Sequence, residues 1–326
     1  MINLAFVGLG WWGMELARAA ARSRDRIAIA GGYSPVPAET SEFQKTFGGQ
    51  IYKNLTEILD DGSVNGIVFS TPHSMHAAQV REAAVAGKHI FVEKPLALSV
   101  ADAVKADKTC RDNKVVLAVG HNRRFSAATR QLEDWIAEGC FGRILHFEAH
   151  FSGNSALNFT PETWRANRTE SPAGSLVSIG LHMIDAVQFL LGPIQRLSCI
   201  SKRQVLQVDI DDTTAALFEL ETGITGSLGT LFVTPLTSSL KIYGTNGLAE
   251  ATDDFTRLFW TGENHQRSEV DLQPIDTLSA ELVAFQKSCE DGIDYPLLSS
   301  QAIKNVAVIE AMSASAAESG AWTKVR

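Results

Sequence analysis

The sequence is poor in the features that mark whole classes of protein. Its four cysteines, Cys110, Cys140, Cys199 and Cys289, are widely and irregularly spaced, with no Cys-x-x-Cys pair. That excludes a disulfide framework or a cysteine zinc site and reads as free thiols in a reducing compartment. No apolar run approaches the roughly 20 residues that cross a bilayer, so no membrane partner is expected. Basic residues are outnumbered, 29 Lys and Arg against 37 Asp and Glu for a net charge of −8, and they form no cluster. That balance argues against a nucleic-acid or anionic-membrane partner. Near the N-terminus "ARAAARS" has the small residues of a cleavage site, but no basic residue precedes the apolar part, and Glu15 and Arg18 interrupt it. A signal peptide is therefore not expected, and the cytoplasm is the expected location.

What is present is ordinary for a globular protein: 326 residues, 45% hydrophobic and 20% charged. That length exceeds what one core usually serves, so two domains are expected. Up to residue 121, short apolar strands ("INLAFVG", "RIAIAGGY", "VNGIVFS", "HIFVE", "VVLAVG") alternate with Ala-rich helices. This is the pattern of a doubly wound parallel sheet, an α/β domain over 1–121. From 122 to 326 the rhythm changes. After one helix comes the alternating strand "RILHFEAHF", then the helical "SLVSIGLHMIDAVQFLLG", a run of strands from about 194 to 273, and two closing helices. An α+β domain with a large, mostly antiparallel open sheet is expected there, its last helices free to pack back on the first domain.

"VGLGWWG" sets Gly8, Gly10 and Gly13 in G-x-G-x-x-G spacing between the first strand and the first helix. In that context the motif predicts a Rossmann dinucleotide site. Gly8 permits the turn, Gly10 lets backbone approach a pyrophosphate, and Gly13 lets helix and strand pack closely. Trp11 and Trp12 lie inside the loop. One is expected against the sheet and the other beside the nicotinamide pocket. The cofactor is NAD or NADP. The second strand ends in "GGYSPVP" without the ribose-binding acid expected about 20 residues on. Ser34 can bond a ribose hydroxyl, and no basic residue stands ready for a 2′-phosphate. Thr71, Pro72, His73 and His76 follow the third strand on the cofactor side, the two histidines being either cofactor-facing or solvent-facing.

"FVEKPLALS" puts Glu93, Lys94 and Pro95 together at the end of a buried strand. That is either a surface ion pair of small value or a lysine held where ligands of open α/β sheets bind. His146, Glu148 and His150 share one strand face. They read as the polar side of a sheet whose other side, with Leu145, Phe147 and Phe151, is core, and no metal is expected.

The glycine loop, "STPHSMH", "EKP", "GHNRRF", "WR" at 164 to 165 and "GLHMID", in this order, resemble the Gfo/Idh/MocA oxidoreductases of the glucose–fructose oxidoreductase and inositol dehydrogenase type. The resemblance covers nearly the whole chain, and "EKP" carries most of its specificity. It implies that Lys94 bonds the reacting oxygen and the cofactor, with Pro95 often cis and Glu93 orienting Lys94 or the cofactor. It implies that His182 is the general acid/base, suited by a pKa near neutrality. Asn122 and Arg123 correspond to cofactor- or substrate-facing positions, as do Trp164 and Arg165, while Arg124 reads as structural. Asp185 matches the pattern's second aspartate, which either touches substrate hydroxyls or packs between helices. Where the family pattern has a first aspartate one helical turn before the histidine, this chain has Ser178, which cannot stabilise an imidazolium as a carboxylate would. The implied activity is hydride transfer between nicotinamide and a secondary alcohol or ketone of a sugar, polyol or cyclic hydroxylated small molecule. The implied assembly is a homodimer or homotetramer through the second-domain sheet. Two alternatives share the resemblance: a redox-neutral, NAD-dependent glycoside-cleaving enzyme, and a non-catalytic NAD(P)-binding sensor.

Overall fold

A computed structural model describes residues 1–326. The chain forms two compact units, one made of residues 1–122 and 276–303, the other of 123–275 and 304–326.

In chain order the elements begin with β1 (Ile2–Val7), α1 (Trp11–Arg22), β2 (Ile27–Tyr33), α2 (Pro37–Phe47), β3 (Gln50–Ile51), α3 (Leu55–Asp60), β4 (Gly66–Phe69), α4 (His73–Val85), β5 (His89–Glu93), α5 (Val100–Asp112) and β6 (Leu117–Gly120). There follow α6 (Ala127–Ala137), β7 (Ile144–Ser152), α7 (Leu181–Leu191), β8 (Ile194–Lys202), β9 (Thr213–Leu220) and β10 (Thr225–Leu231). Then come β11 (Thr237–Gly244), β12 (Gly247–Thr252), β13 (Arg257–Gly262), β14 (Arg267–Glu269), α8 (Thr277–Asp291), α9 (Ser299–Ala317) and β15 (Thr323–Lys324). None of the helices is long and apolar enough to cross a membrane.

The first unit holds a six-stranded sheet in the order β3-β2-β1-β4-β5-β6, with every pairing parallel. Its central strands are apolar at nearly every position because helices cover both faces. The strand order reverses between β1 and β4, which creates the crevice beyond the strands' carboxyl ends where such sheets bind ligands. Helix α1 buries Met14, Leu16 and three alanines, and the small residues allow close approach. Pro37 opens α2 at a position whose amide needs no helical partner.

Helix α8, which follows the second domain in sequence and is free to pack back, belongs to the first unit. Asp276 caps it and pairs with Arg22 of α1 at 2.7 Å. Its Phe285 meets Phe91 of β5 edge to face, ring centres 5.9 Å apart.

The second unit is built on a nine-stranded sheet in the order β14-β13-β12-β11-β7-β10-β9-β8-β15. Strands β7 and β10 pair in parallel, and the other pairings are antiparallel. Alternate side chains, Phe147, Ala149 and Phe151 from β7 with Phe218, Leu228 and Ile242 from neighbouring strands, form the core. Leu145, expected in that core, is 49% exposed. It lies at the start of β7, before the buried run begins at Phe147.

Candidate active site

In the first unit the glycine loop is shaped by contact as well as by torsion. Gly8 has φ +87°, and a Cβ there would press on the Ser70 carbonyl oxygen at 2.7 Å. A Cβ on Gly13 would collide with the Gly8 carbonyl, so α1 sits directly on the loop. Gly10 is the N-cap of α1, and no side chain caps the amides of that first turn. A helix start of this kind favours an anion. Trp11 stands 73% exposed at the mouth, while Trp12 is half-buried and its indole N–H is buried without a partner. Open backbone donors and a waiting indole donor fit the phosphate and ribose groups of a dinucleotide.

The turn after β4 is held from inside. Thr71 Oγ1 donates to Gln79 Oε1 at 2.6 Å, and Pro72 precedes α4 as its N-cap. His73 and His76 are both buried, which rules out the solvent-facing alternative. The His76 ring lies between two carbonyl oxygens, Nδ1 at 2.7 Å from that of Pro95 and Nε2 at 2.9 Å from that of Thr71. With no exposed surface it cannot reach a ligand from there, so the expectation of a direct cofactor contact is corrected. Its role is to tie the β4–α4 turn to the segment after β5. Carbonyl oxygens only accept, so the ring N–H donates to one of the two, the tautomer setting which.

That segment carries Lys94, joined to Pro95 by a cis peptide bond. Lys94 is partly exposed, whereas Glu93 and Pro95 to Ala97 around it are buried. Glu93 folds against β6, its carboxylate packing on Gly120 and accepting the Lys94 amide at 3.2 Å. Asn122, at the end of this unit, donates to Thr277 Oγ1 at 2.9 Å. Ser34 is buried and donates to Glu39, an acid that the sequence did not single out.

In the second unit His182, on the first turn of α7, is 6% exposed. A Nη1 nitrogen of Arg123 lies 3.0 Å from its Nε2 and 3.2 Å from its Nδ1. A guanidinium only donates, and this Nη1 is almost equidistant from the two ring nitrogens, so it packs over the ring between them rather than along either lone pair. Asp254 fixes the guanidinium through Nε and Nη2 at 2.7 and 2.8 Å. Asp254 was not legible beforehand. It sits in the β12–β13 connection, where Asp253, Asp254 and Phe255 all take left-handed φ angles, 51°, 55° and 63°. Three such residues in succession are costly, and strain of this kind gathers at functional sites.

Ser178 falls in a π-helical turn, Leu176–Gly180, that runs into α7. The wider turn changes the regular one-turn spacing to His182. Asp185, expected against substrate, is buried. Its carboxylate takes Arg124 Nε and Nη2 at 2.9 and 2.8 Å and Asn305 Nδ2 at 2.7 Å. The residue faces the protein interior, where a lone charge would be costly, and Arg124 supplies the counter-charge. Trp164 and Arg165 form a short 3-10 turn, with the guanidinium 4.2 Å over the indole.

His146, Glu148 and His150 each bond a different neighbour: Thr225 Oγ1 at 2.8 Å, the Tyr243 hydroxyl at 2.7 Å and Ser152 Oγ at 2.7 Å. Burial holds the His150 pKa below the ordinary histidine value. Burial likewise pushes the Cys110, Cys199 and Cys289 thiols up to about 12, so they stay protonated at neutral pH and make poor nucleophiles.

Known proteins resemble both units. A family model described as an oxidoreductase family with an NAD-binding Rossmann fold matches residues 2–121, and the GFO/IDH/MocA C-terminal domain matches 129–250. Glucose-6-phosphate 3-dehydrogenase of Bacillus subtilis is 31% identical over 192 residues, 58% of this chain and 54% of that protein. The chain thus spans about half the length of that relative. The rhizopine catabolism protein MocA of Rhizobium meliloti is 28% identical over 315 residues, 95% of this chain and 93% of that one. Among solved structures, an oxidoreductase from Desulfitobacterium hafniense described as NADPH-dependent superposes with a TM-score of 0.93 at 26% identity, covering 99% of this chain and 97% of its own. Levoglucosan dehydrogenase with NADH superposes at 0.91 and 23% identity, covering 100% and 99%, and so shares the fold. The first unit is an NAD-binding Rossmann domain, and the chain belongs to the Gfo/Idh/MocA family of oxidoreductases.

Proposed function

We propose that the protein is an NAD(P)-dependent dehydrogenase or reductase acting on a CH–OH group of a sugar, polyol or other cyclic hydroxylated small molecule. The observation that carries this reading is His182, nearly buried and facing the donor-only guanidinium of Arg123. A neutral imidazole in such a place can serve as a base. In oxidation His182 accepts the hydroxyl proton as the carbon–oxygen double bond forms. Lys94, beyond β5, supplies an ammonium suited to stabilise the negative charge that develops on a reacting oxygen. Nicotinamide, when bound, supplies the hydride acceptor. Glu93 orients Lys94 through its backbone amide, and His76 steadies the Pro95 carbonyl. Asn122, Thr71, Pro72, His73 and the two loop tryptophans serve the cofactor side. Ser178, Trp164 and Arg165 serve the substrate, and Asp185 supports α7 from within. The names of relatives support the substrate class: glucose-6-phosphate 3-dehydrogenase, 1,5-anhydro-D-fructose reductase and levoglucosan dehydrogenase all act on sugars.

A second reading has a specific support. A relative of Escherichia coli, 31% identical over 195 residues, is named 2,7-anhydro-N-acetylneuraminate hydratase, a net redox-neutral reaction. One experiment separates the two. The protein is incubated with NAD or NADP and a panel of sugars, anhydrosugars and polyols, while absorbance follows the reduced nicotinamide and chromatography follows the sugar. Reduced cofactor lost in Lys94→Ala and His182→Ala supports the dehydrogenase. A changed sugar without reduced cofactor supports the redox-neutral reading, and binding without any turnover sinks both.

We further propose a homodimer or homotetramer in the cytoplasm, joined through the outward face of the nine-stranded sheet. Ile200 of β8 and Leu217 of β9 are 52% and 55% exposed on that face. Light scattering of the wild type and of Leu217→Lys tests the assembly.

A further inference from the structure

The acid that a glycine loop of this kind expects at the end of the second strand is missing from "GGYSPVP". The fold delivers one from another direction. Glu39 stands in the first turn of α2, three residues after the N-cap Val36. Its carboxylate folds back over the end of β2. Oε2 accepts the hydroxyl of Ser34, and Oε1 is the atom nearest to a Cβ built on Gly10, at 3.6 Å. Ser34 is 7% exposed, and its Oγ accepts the Val36 amide at 3.2 Å, so both neighbours fix the hydroxyl. The carboxylate therefore lies between the start of α1 and the carboxyl end of β2. In a dinucleotide-binding βαβ unit those two places take the pyrophosphate and the adenosine ribose.

We propose that Glu39, held in place by Ser34, selects NAD over NADP. The proposal rests on the NAD-binding role of this unit and goes beyond it, because the fold alone does not decide. Solved neighbours include one described as NADPH-dependent and one with NADH. Ionised, a carboxylate only accepts hydrogen bonds, so the ribose 2′-hydroxyl, a donor, suits Oε1. A 2′-phosphate instead brings about two negative charges. Residues 31–44 contain no Lys or Arg to offset them. Arg18 on the neighbouring helix is paired with Glu15 at 2.5 Å and lies 4.0 Å from Glu42. The competing role for Glu39 is local: an acid in the first turn of a helix steadies that turn. Such a role is blind to a phosphate on the ribose, so selectivity separates the two.

The test is calorimetric titration of the full chain with NADH and with NADPH. The variants are Glu39→Gln, Glu39→Arg and Ser34→Ala, with thermal melts of each free protein. The wild type is expected to bind NADH about tenfold or more tighter than NADPH. Glu39→Gln keeps the shape and removes the charge, and it should narrow that ratio by about tenfold, chiefly by tightening NADPH. Glu39→Arg should reverse the preference. Ser34→Ala frees the carboxylate and should weaken NADH by about threefold. If Glu39→Gln does not fold, Glu39→Arg and Ser34→Ala carry the test. Equal wild-type affinities overturn the proposal, as does an unchanged ratio in folded Glu39→Gln, and the NAD site stands in both cases. Absence of binding by either nucleotide overturns the proposal and the site together.

Discussion

Arg123 and Arg124 each make a two-pronged bond to an aspartate, yet Asp254 keeps 47% of its side chain exposed while Arg124 and Asp185 keep 2% and 3%. The buried pair has left water completely, so its geometry must be good. Asn305 adds a third bond to Asp185, and Gln188 in turn bonds Asn305 at 2.7 Å. The other pair sits where water screens it, and such pairs contribute little to stability. Its Arg123 nevertheless reaches His182. The difference teaches that neighbouring residues of one type can divide the labour: one ties α7 into a buried network, and the other packs against His182, the residue proposed to move the proton.

Three changes break or sharpen that division, and one more sets a buried carboxylate elsewhere beside it. His182→Ala should lower turnover by about 10²–10⁴-fold, with nucleotide affinity and melting temperature close to wild type. A larger loss of fold than of activity would show His182 to be a core residue. Asp185→Ala should cost about 3–5 kcal/mol in urea unfolding because it strands the Arg124 charge. A cost below that of a surface pair would mean that the buried network does not hold α7.

A third change tests a buried carboxylate outside both clusters. Burial alone would raise the Asp212 pKa, but the Leu206, Val205 and Gln204 amides and the Thr213 hydroxyl outweigh it, and the net shift is downward. A lowered folded-state pKa contributes stability above the unfolded value of 3.8, and this is lost as pH falls through that value towards the folded one. Asp212→Asn should therefore cost about 1.5–3 kcal/mol at neutral pH. The gap from wild type should close in melts taken below about pH 4. A gap independent of pH would assign the loss to packing.

The smallest effect on stability belongs to Arg123→Gln, about 1 kcal/mol or less. Its signature lies elsewhere. Without the guanidinium the ring loses the neighbour that positions it, so turnover should fall while nucleotide affinity and melting temperature stay close to wild type. Unchanged turnover would reduce the Arg123 contact to scaffolding.

What could be read beforehand follows the range of the interactions. The glycine loop and "EKP" are local: a turn between a strand and a helix, and a residue at a strand end. Both are written in consecutive letters. His76 was ambiguous because the buried side of α4 carries His73, His76 and Gln79 among alanines, so polarity does not mark its inner face. Asp185 was open between a substrate contact and packing between helices, because the partner that decides it, Asn305, lies 120 residues away. Glu39 left a faint signal, a proline opening α2 with an acid two residues later. Asp254 left none, since three left-handed non-glycine residues have no sequence mark and Arg123 is 131 residues distant.

The return of α8 to the first unit has a consequence for the order of events during synthesis. The six strands of the parallel sheet leave the ribosome well before the helix whose Phe285 covers Phe91, because residues 123–275 come between. At about 5–20 residues per second the wait is on the order of ten seconds. For that time the sheet has an uncovered apolar surface, and the nascent chain is a natural client for a chaperone that binds such surfaces.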